Sequence, residues 1–263
     1  MAGYKVPVFE KGTILTHEMM NALKNNTLDL GRLSYYGYSD GILSGCAVSM
    51  SDNTIFVSQG IIIFQQNLYF LSKDMKVTIQ PGNGWQYLYF QIGSLWRDKS
   101  FVLGEVQLEL TTNAGDHIEA CSNKIEICRF RLQNGAILRT QYRNFADLNT
   151  EFDTINEIYA QWSGFGRVSI SNKILRIFAK EAVKESLDDP QDILFIQQIL
   201  ALDGKTLNRN VIEFYISLKL GQTYDEMSNQ QIYEGLKAIL KDIRHGNSRK
   251  SLKTRENHRI VID

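Results

Sequence analysis

The sequence predicts an α+β protein: an N-terminal helix, an antiparallel β-sandwich or small barrel, a linking helix and a small C-terminal helical bundle. Three observations carry this. Between residues 38 and 79, short apolar runs (47–50, 54–57, 61–64, 68–71, 77–79) alternate with turn clusters such as Ser51-Asp52-Asn53 and Gln65-Gln66-Asn67, the spacing of a compact antiparallel sheet. Between 146 and 162 the apolar period becomes helical. From 173 to 245 it stays helical and is punctuated by Gly and Pro. The expected units are an N-terminal helical arm (1–37), a β domain (38–145), a linking helix and connector (146–172), a helical domain (173–245) and a polar basic tail (246–263).

In the arm, Thr16 is a plausible N-cap and Glu18 suits the positive end of the helix dipole. Met19, Leu23 and Leu28 are expected on one side. That apolar face is thin for a free-standing helix, so it should lie against the first sheet or a neighbouring subunit.

In the β domain, residues 85–92 (W-Q-Y-L-Y-F-Q-I) are bulky on both faces, which predicts a central strand covered on both sides. Residues 101–110 alternate more cleanly, with Val106, Leu108 and Leu110 inward. Asn134-Gly135, between apolar runs 124–132 and 136–140, is a strong hairpin signal, because a type I′ turn needs positive φ at both central residues.

In the linking segment, Leu148, Phe152, Ile155, Tyr159 and Trp162 step by 4, 3, 4, 3. That is an a/d seam over about two heptads. It reads either as a candidate oligomer seam or as an amphipathic helix docked on its own sheet. Beyond it, Asp189-Pro190, Asn208, Gly221 and Ser228 mark the starts and stops of helices in a bundle.

The tail carries Arg249, Lys250, Lys253, Arg255 and Arg259 and ends in Ile260-Val261-Ile262. It is expected as a solvated extension, or as an arm that orders on a partner's sheet.

Chemistry is sparse. Net charge is zero, so no global field attracts nucleic acid or an anionic membrane. No apolar run approaches the length of a membrane span, so neither nucleic-acid binding nor membrane insertion is expected. Three cysteines (Cys46, Cys121, Cys128) argue against a disulfide framework, and the four histidines lack metal-ligand spacing. No nucleophile elbow or phosphate loop is present. No cofactor and no catalytic residue is expected.

The cluster Asp116, His117 and Glu119 is the best carboxylate grouping and reads as a solvated loop. Trp85, Tyr87, Tyr89 and Trp96 read as core, or, if exposed, as a glycan-stacking platform with Asn83, Arg97 and Asp98 beside it.

The segments F-E-K-G-T-I-L-T-H-E-M-M-N-A-L, Y-Y-G-Y-S-D-G-I-L-S-G-C-A-V and S-Q-G-I-I-I-F-Q-Q-N-L-Y-F-L resemble N-terminal segments of tail and baseplate-associated structural proteins of phages and phage-tail-like bacteriocins from Gram-positive bacteria. The matching units are 39–46 and 60–64, within a resemblance that spans about 9–71. It implies a non-enzymatic structural component, an adaptor between the baseplate and fibre or receptor-binding proteins. Its expected partners are other baseplate or tail-fibre proteins and further copies of itself, as trimer or dimer. It also implies a place at the distal tail of a virion or particle, for a chain made in the bacterial cytoplasm without a signal peptide. The alternatives are a carbohydrate-binding receptor protein contacting cell-surface glycan and, third, a cell-wall hydrolase.

Overall fold

The computed structural model describes residues 5–79, 82–97, 99–112 and 123–256. The class is α+β: an N-terminal helix, antiparallel sheets, then helices.

Helix α1 (His17–Ser34) starts where Thr16 Oγ1 accepts from Met19 N at 3.2 Å, with Glu18 in the first turn. The strands then follow in order: β1 (Gly41–Gly45), β2 (Val48–Ser51), β3 (Thr54–Val57), β4 (Gly60–Phe64), β5 (Asn67–Leu71), β6 (Met75–Thr78), β7 (Gly82–Ile92), β8 (Trp96–Arg97), β9 (Val102–Leu103), β10 (Val106–Thr111) and β11 (Lys124–Leu132). Among the described residues they form three antiparallel sheets, ordered β1-β4-β5, β2-β3-β6 and β10-β7-β11, plus the β8-β9 ribbon, and no strand is shared between sheets. One core joins the three sheets, with Ile42, Ile55, Ile62, Leu88, Phe90 and Ile125 at its centre. β7 is central in its sheet, as its bulky faces predict.

The two units 39–46 and 60–64 are neighbours. β1 pairs with β4 so that Gly45 faces Gly60. The backbones pass so closely that a Cβ on Gly60 would sit 2.5 Å from Ser44 O, and one on Gly45, at φ +68°, would sit 2.3 Å from Gln59 O. Only glycine fits at this crossing. β4 and β5 are joined by Gln65 and Gln66, both at positive φ, the backbone of a type I′ turn made without Asn or Gly. Gln65 N donates to Asp40 Oδ1 at 2.8 Å, which ties the turn to the start of β1.

Asn134-Gly135 does turn the chain, with Ala136 N donating to Gln133 O at 3.1 Å. Gly135 has positive φ and Asn134 does not, so the turn is not type I′ and no return strand pairs with β11. The chain beyond it bonds instead to 153–155, through Arg139 N to Asp153 O and Ile155 N to Arg139 O.

The linking helix expected over 146–162 does not form. A single 3₁₀ turn, Phe145–Asn149, leads into an irregular strap that runs to Ser171, with Asp153 at φ +56°. The apolar residues of the strap serve two cores. Leu148, Ile158 and Ile170 enter the helical core, whereas Ile155 enters the β core. One helical face cannot point both ways, so tertiary packing overrides the local period.

The helical domain comprises α2 (Asn172–Ala182), α3 (Pro190–Leu200), α4 (Arg209–Leu220) and α5 (Asn229–Glu256). The caps follow the sequence signals. Ser171, Asp189 before Pro190, and Asn208 each accept a backbone N–H from their own helix, and Gly221 closes α4 at φ +64°. Ser228 and Gln231 bond reciprocally, a capping box. Inside, the rings of Phe195 and Tyr215 stack at 3.8 Å and those of Phe145 and Tyr233 at 5.1 Å. α5 continues past residue 245 to Glu256, so the basic tail begins as helix rather than as an extended arm. Ile260, Val261 and Ile262 lie outside the described residues.

Candidate docking surfaces

The strap gathers residues from both groups singled out in the sequence. On β7, Trp85, Tyr87 and Tyr89 share one face, and β11 lays Arg131 beside Trp85 and Arg129 beside Tyr87. The Arg129 guanidinium lies 5.2 Å from the Tyr87 ring centroid and 3.5 Å from that of Tyr159. Arg131 lies 5.9 Å from Trp85 and 4.4 Å from Phe152. The strap thus caps an aromatic–cation ladder on the outer face of the sheet. Glu126, buried, accepts two bonds from Arg129, at 2.7 and 2.9 Å, and fixes its guanidinium. None of Glu126, Arg129 and Arg131 stands out in the sequence. The signal for them is only that β11 places charges opposite the β7 aromatics.

Consequently neither predicted site exists as a surface. Leu148 and Ile155 are buried in different cores; Phe152 and Tyr159 cover the arginines; Trp162 packs on the β core. Tyr87 and Tyr89 are buried, Trp85 is half-buried, and Trp96 stands apart on β8, 53% exposed. No sugar ring can stack on all four.

Backbone bonds stitch the strap into two sheets. Gln161 N donates to Glu126 O at 2.9 Å on β11, and Ile42 N donates to Gln161 O at 2.8 Å on β1. Ser163 Oγ donates to Ser39 O at 2.6 Å. On the helical side, Thr206 Oγ1 donates to Ser163 O at 2.6 Å, and Ser169 Oγ to Leu207 O at 2.7 Å.

Charge pairs complete the join. Lys173 Nζ meets Glu157 at 2.5 Å. Arg209, nearly buried, donates to Glu213 at 2.9 Å, to Val168 O at 2.9 Å and to Asn229 Oδ1 at 2.7 Å; Glu213 also receives Arg167 at 2.5 Å. Arg139 holds Asp147 bidentately at 2.7 Å, and with bonds from Arg143 N and Thr150 this keeps the Asp147 carboxyl well below the usual carboxylate range, against burial, which pushes it up. These networks fasten the 3₁₀ turn, the strap and the helices into a firm joint between the two cores.

Two of the open surfaces are apolar. No residue of α1 is buried, and its main packing against another element is a light contact with β5. Between α1, β5 and the β8–β9 ribbon lies a groove of about 760 Å³, lined by Leu28, Leu68, Phe70, Leu95 and Val102, with Arg32 and Lys73 at its rim. Leu28 thus faces this groove rather than sharing a side with Met19 and Leu23. A second groove, about 410 Å³, runs between α3 and α4, lined by Leu194, Val211, Phe214 and Leu218, with Gln191 and Gln198 as its polar edge.

Among the described residues, no group of three or more His, Cys, Asp or Glu is placed to hold a metal ion, and no helix is long and apolar enough to cross a membrane. Asp98, Asp116, His117, Glu119 and Cys121 lie outside the described residues.

No family model and no curated protein matches the chain. Among solved structures, one titled "Crystal structure of TssK" superposes with a TM-score of 0.37 at 8% identity, covering 93% of this chain and 70% of that one; a score at that level lies below that of a shared fold.

Proposed function

We propose that the protein is a non-enzymatic structural component of a phage-like tail or baseplate, acting as an adaptor between the baseplate and fibre or receptor-binding proteins. The observation that carries the reading is α1, an 18-residue helix that buries no residue in its own chain. In proteins most helical stability comes from packing an amphipathic face, so such a helix is built for a partner. The resemblance of residues 9–71 names the kind of assembly, and the α3–α4 groove on the other core supplies a second place to dock. Two docking surfaces on a firmly strapped body are what an adaptor needs. Immunogold labelling of tails released by producing cells tests this: gold at the distal end is expected, and tails that never label would dispose of the reading.

A carbohydrate-binding role is the second reading, and exposed Trp96 beside Arg97 favours it. It requires loss of cell or glycan binding in Trp96→Ala; binding that survives intact counts against it.

A further inference from the structure

The apolar residues of α1 divide between two sides. Leu28 and Gly31 turn toward the groove against β5. Met19, Leu23, Asn26, Leu30 and Leu33 step by 4, 3, 4, 3 and none of them lines that groove. On a helix this spacing forms one narrow stripe, and it lies on the side away from the sheet. Leu23, Leu30 and Leu33 are 46%, 69% and 73% exposed. The arm before the helix folds alongside, with Asn26 Nδ2 donating to Lys5 O at 2.9 Å and Lys5 Nζ bonding Glu18 Oε1 at 2.7 Å. It leaves the leucines uncovered and adds Val6, Val8 and Phe9 to the exposed apolar surface.

We infer that this stripe is a self-association seam, and that its occupant is the same stripe of a second copy of the chain, parallel and in register. Three features favour a second copy. First, a 4-3 stripe is complementary to itself when two helices wind together. Second, the flanking positions oppose no like charges. Ala22 and Asp29 lie on one side of the stripe, Met20, Thr27 and Ser34 on the other, so in a parallel pair Asp29 meets a neutral residue. Third, the area suffices. Leaving out Leu28, which faces the groove, residues 5–36 hold ten of the twenty-six exposed large hydrophobic residues among the described residues. At on the order of 100 Å² of accessible surface apiece they offer roughly 1,000 Å² per chain, against roughly 800 Å² per partner in a standard stable interface.

The inference does not depend on the tail reading, because it concerns the isolated chain. Sedimentation equilibrium of the full chain tests it. A mass at a multiple of 30.1 kDa is expected at micromolar concentration. The double variant Leu30→Glu/Leu33→Glu should sediment as a single chain with an unchanged near-UV spectrum, since those side chains contact no core. Leu28→Glu, on the groove side, should stay associated. A wild type that remains at 30.1 kDa up to ~100 μM, or a Leu30→Glu/Leu33→Glu variant as associated as wild type, would overturn the inference. So would dissociation by Leu28→Glu alone, which would place the interface on the groove.

Discussion

The Arg129 guanidinium lies 3.5 Å from the centroid of the Tyr159 ring while its Nε and Nη2 both donate to the buried carboxylate of Glu126. Arg129 belongs to the β core and Tyr159 to the strap that enters the helical core, so this contact helps to join the two halves of the chain.

Removing the arginine should therefore be expensive. Arg129→Ala leaves Glu126 in a desolvated place without its main cation, a change that costs about 3–5 kcal/mol in comparable pairs. At roughly 2–4 °C per kcal/mol for a chain of this size, the melting midpoint should fall by about 6–20 °C. A double-mutant cycle with Tyr159→Ala, read by urea denaturation, should give a coupling of about 0.5–2 kcal/mol; additive effects would mean that ring and guanidinium do not interact.

Asp147 should shape the acid limb of stability. Its folded pKa is depressed, chiefly by the Arg139 hydrogen bonds. The stabilisation is therefore fully present above the unfolded carboxylate value near 4 and is lost as pH falls below it toward the folded value. Asp147→Asn should destabilise the protein by about 1–3 kcal/mol at pH 7 and by clearly less at pH 2.5. Equal losses at both pH values in urea titrations would refute the assignment.

The turn at Gln65-Gln66 holds two non-glycine residues at positive φ. Gln66→Gly relieves one of them, at a position whose Nε2 makes only a long 3.5 Å bond to Tyr38 O. It should raise stability by about 1 kcal/mol. Gly60→Ala should do the opposite by a wide margin, because its Cβ would meet Ser44 O and Cys46 Sγ at 2.5–2.6 Å. Thermal melts of the two variants check both signs.

Native Cys46 and Cys128 should resist thiol reagents at pH 8. Burial pushes the Cys46 thiol up to about 12 and that of Cys128 well above its ordinary value, and the thiolate is the reactive form. Peptide mapping after iodoacetamide treatment should find both unmodified until the protein is denatured.

Much of the fold was legible in the sequence, for identifiable reasons. The strand runs of 38–79, the central strand at 85–92 and all four bundle helices follow from local signals: turn clusters, caps at Asp189, Asn208 and Ser228, and Gly221 at a helix end. The strap was not legible, because Leu148–Trp162 has a helix-like period only by serving two cores in turn. A single chain cannot reveal which core each residue enters until both exist. The aromatic platform failed for a related reason. The Trp85-Tyr87-Tyr89 face could be read, but the arginines that cover it come from a strand forty residues on. The α1 stripe, by contrast, was partly visible as Met19 and Leu23; the sheet contact that draws Leu28 to the other side was not.

The central claim is that this protein works through its open apolar surfaces, α1 and the α3–α4 groove, and not through a catalytic centre. Complementation tests it most directly: a producing strain lacking the gene is supplied with Leu30→Glu/Leu33→Glu or with Leu194→Glu/Phe214→Glu, each first shown to melt within about 2 °C of wild type. The account predicts soluble, folded protein that is missing from purified tails, with killing or infection lost. Tails that incorporate both variants at wild-type level with full activity would contradict it.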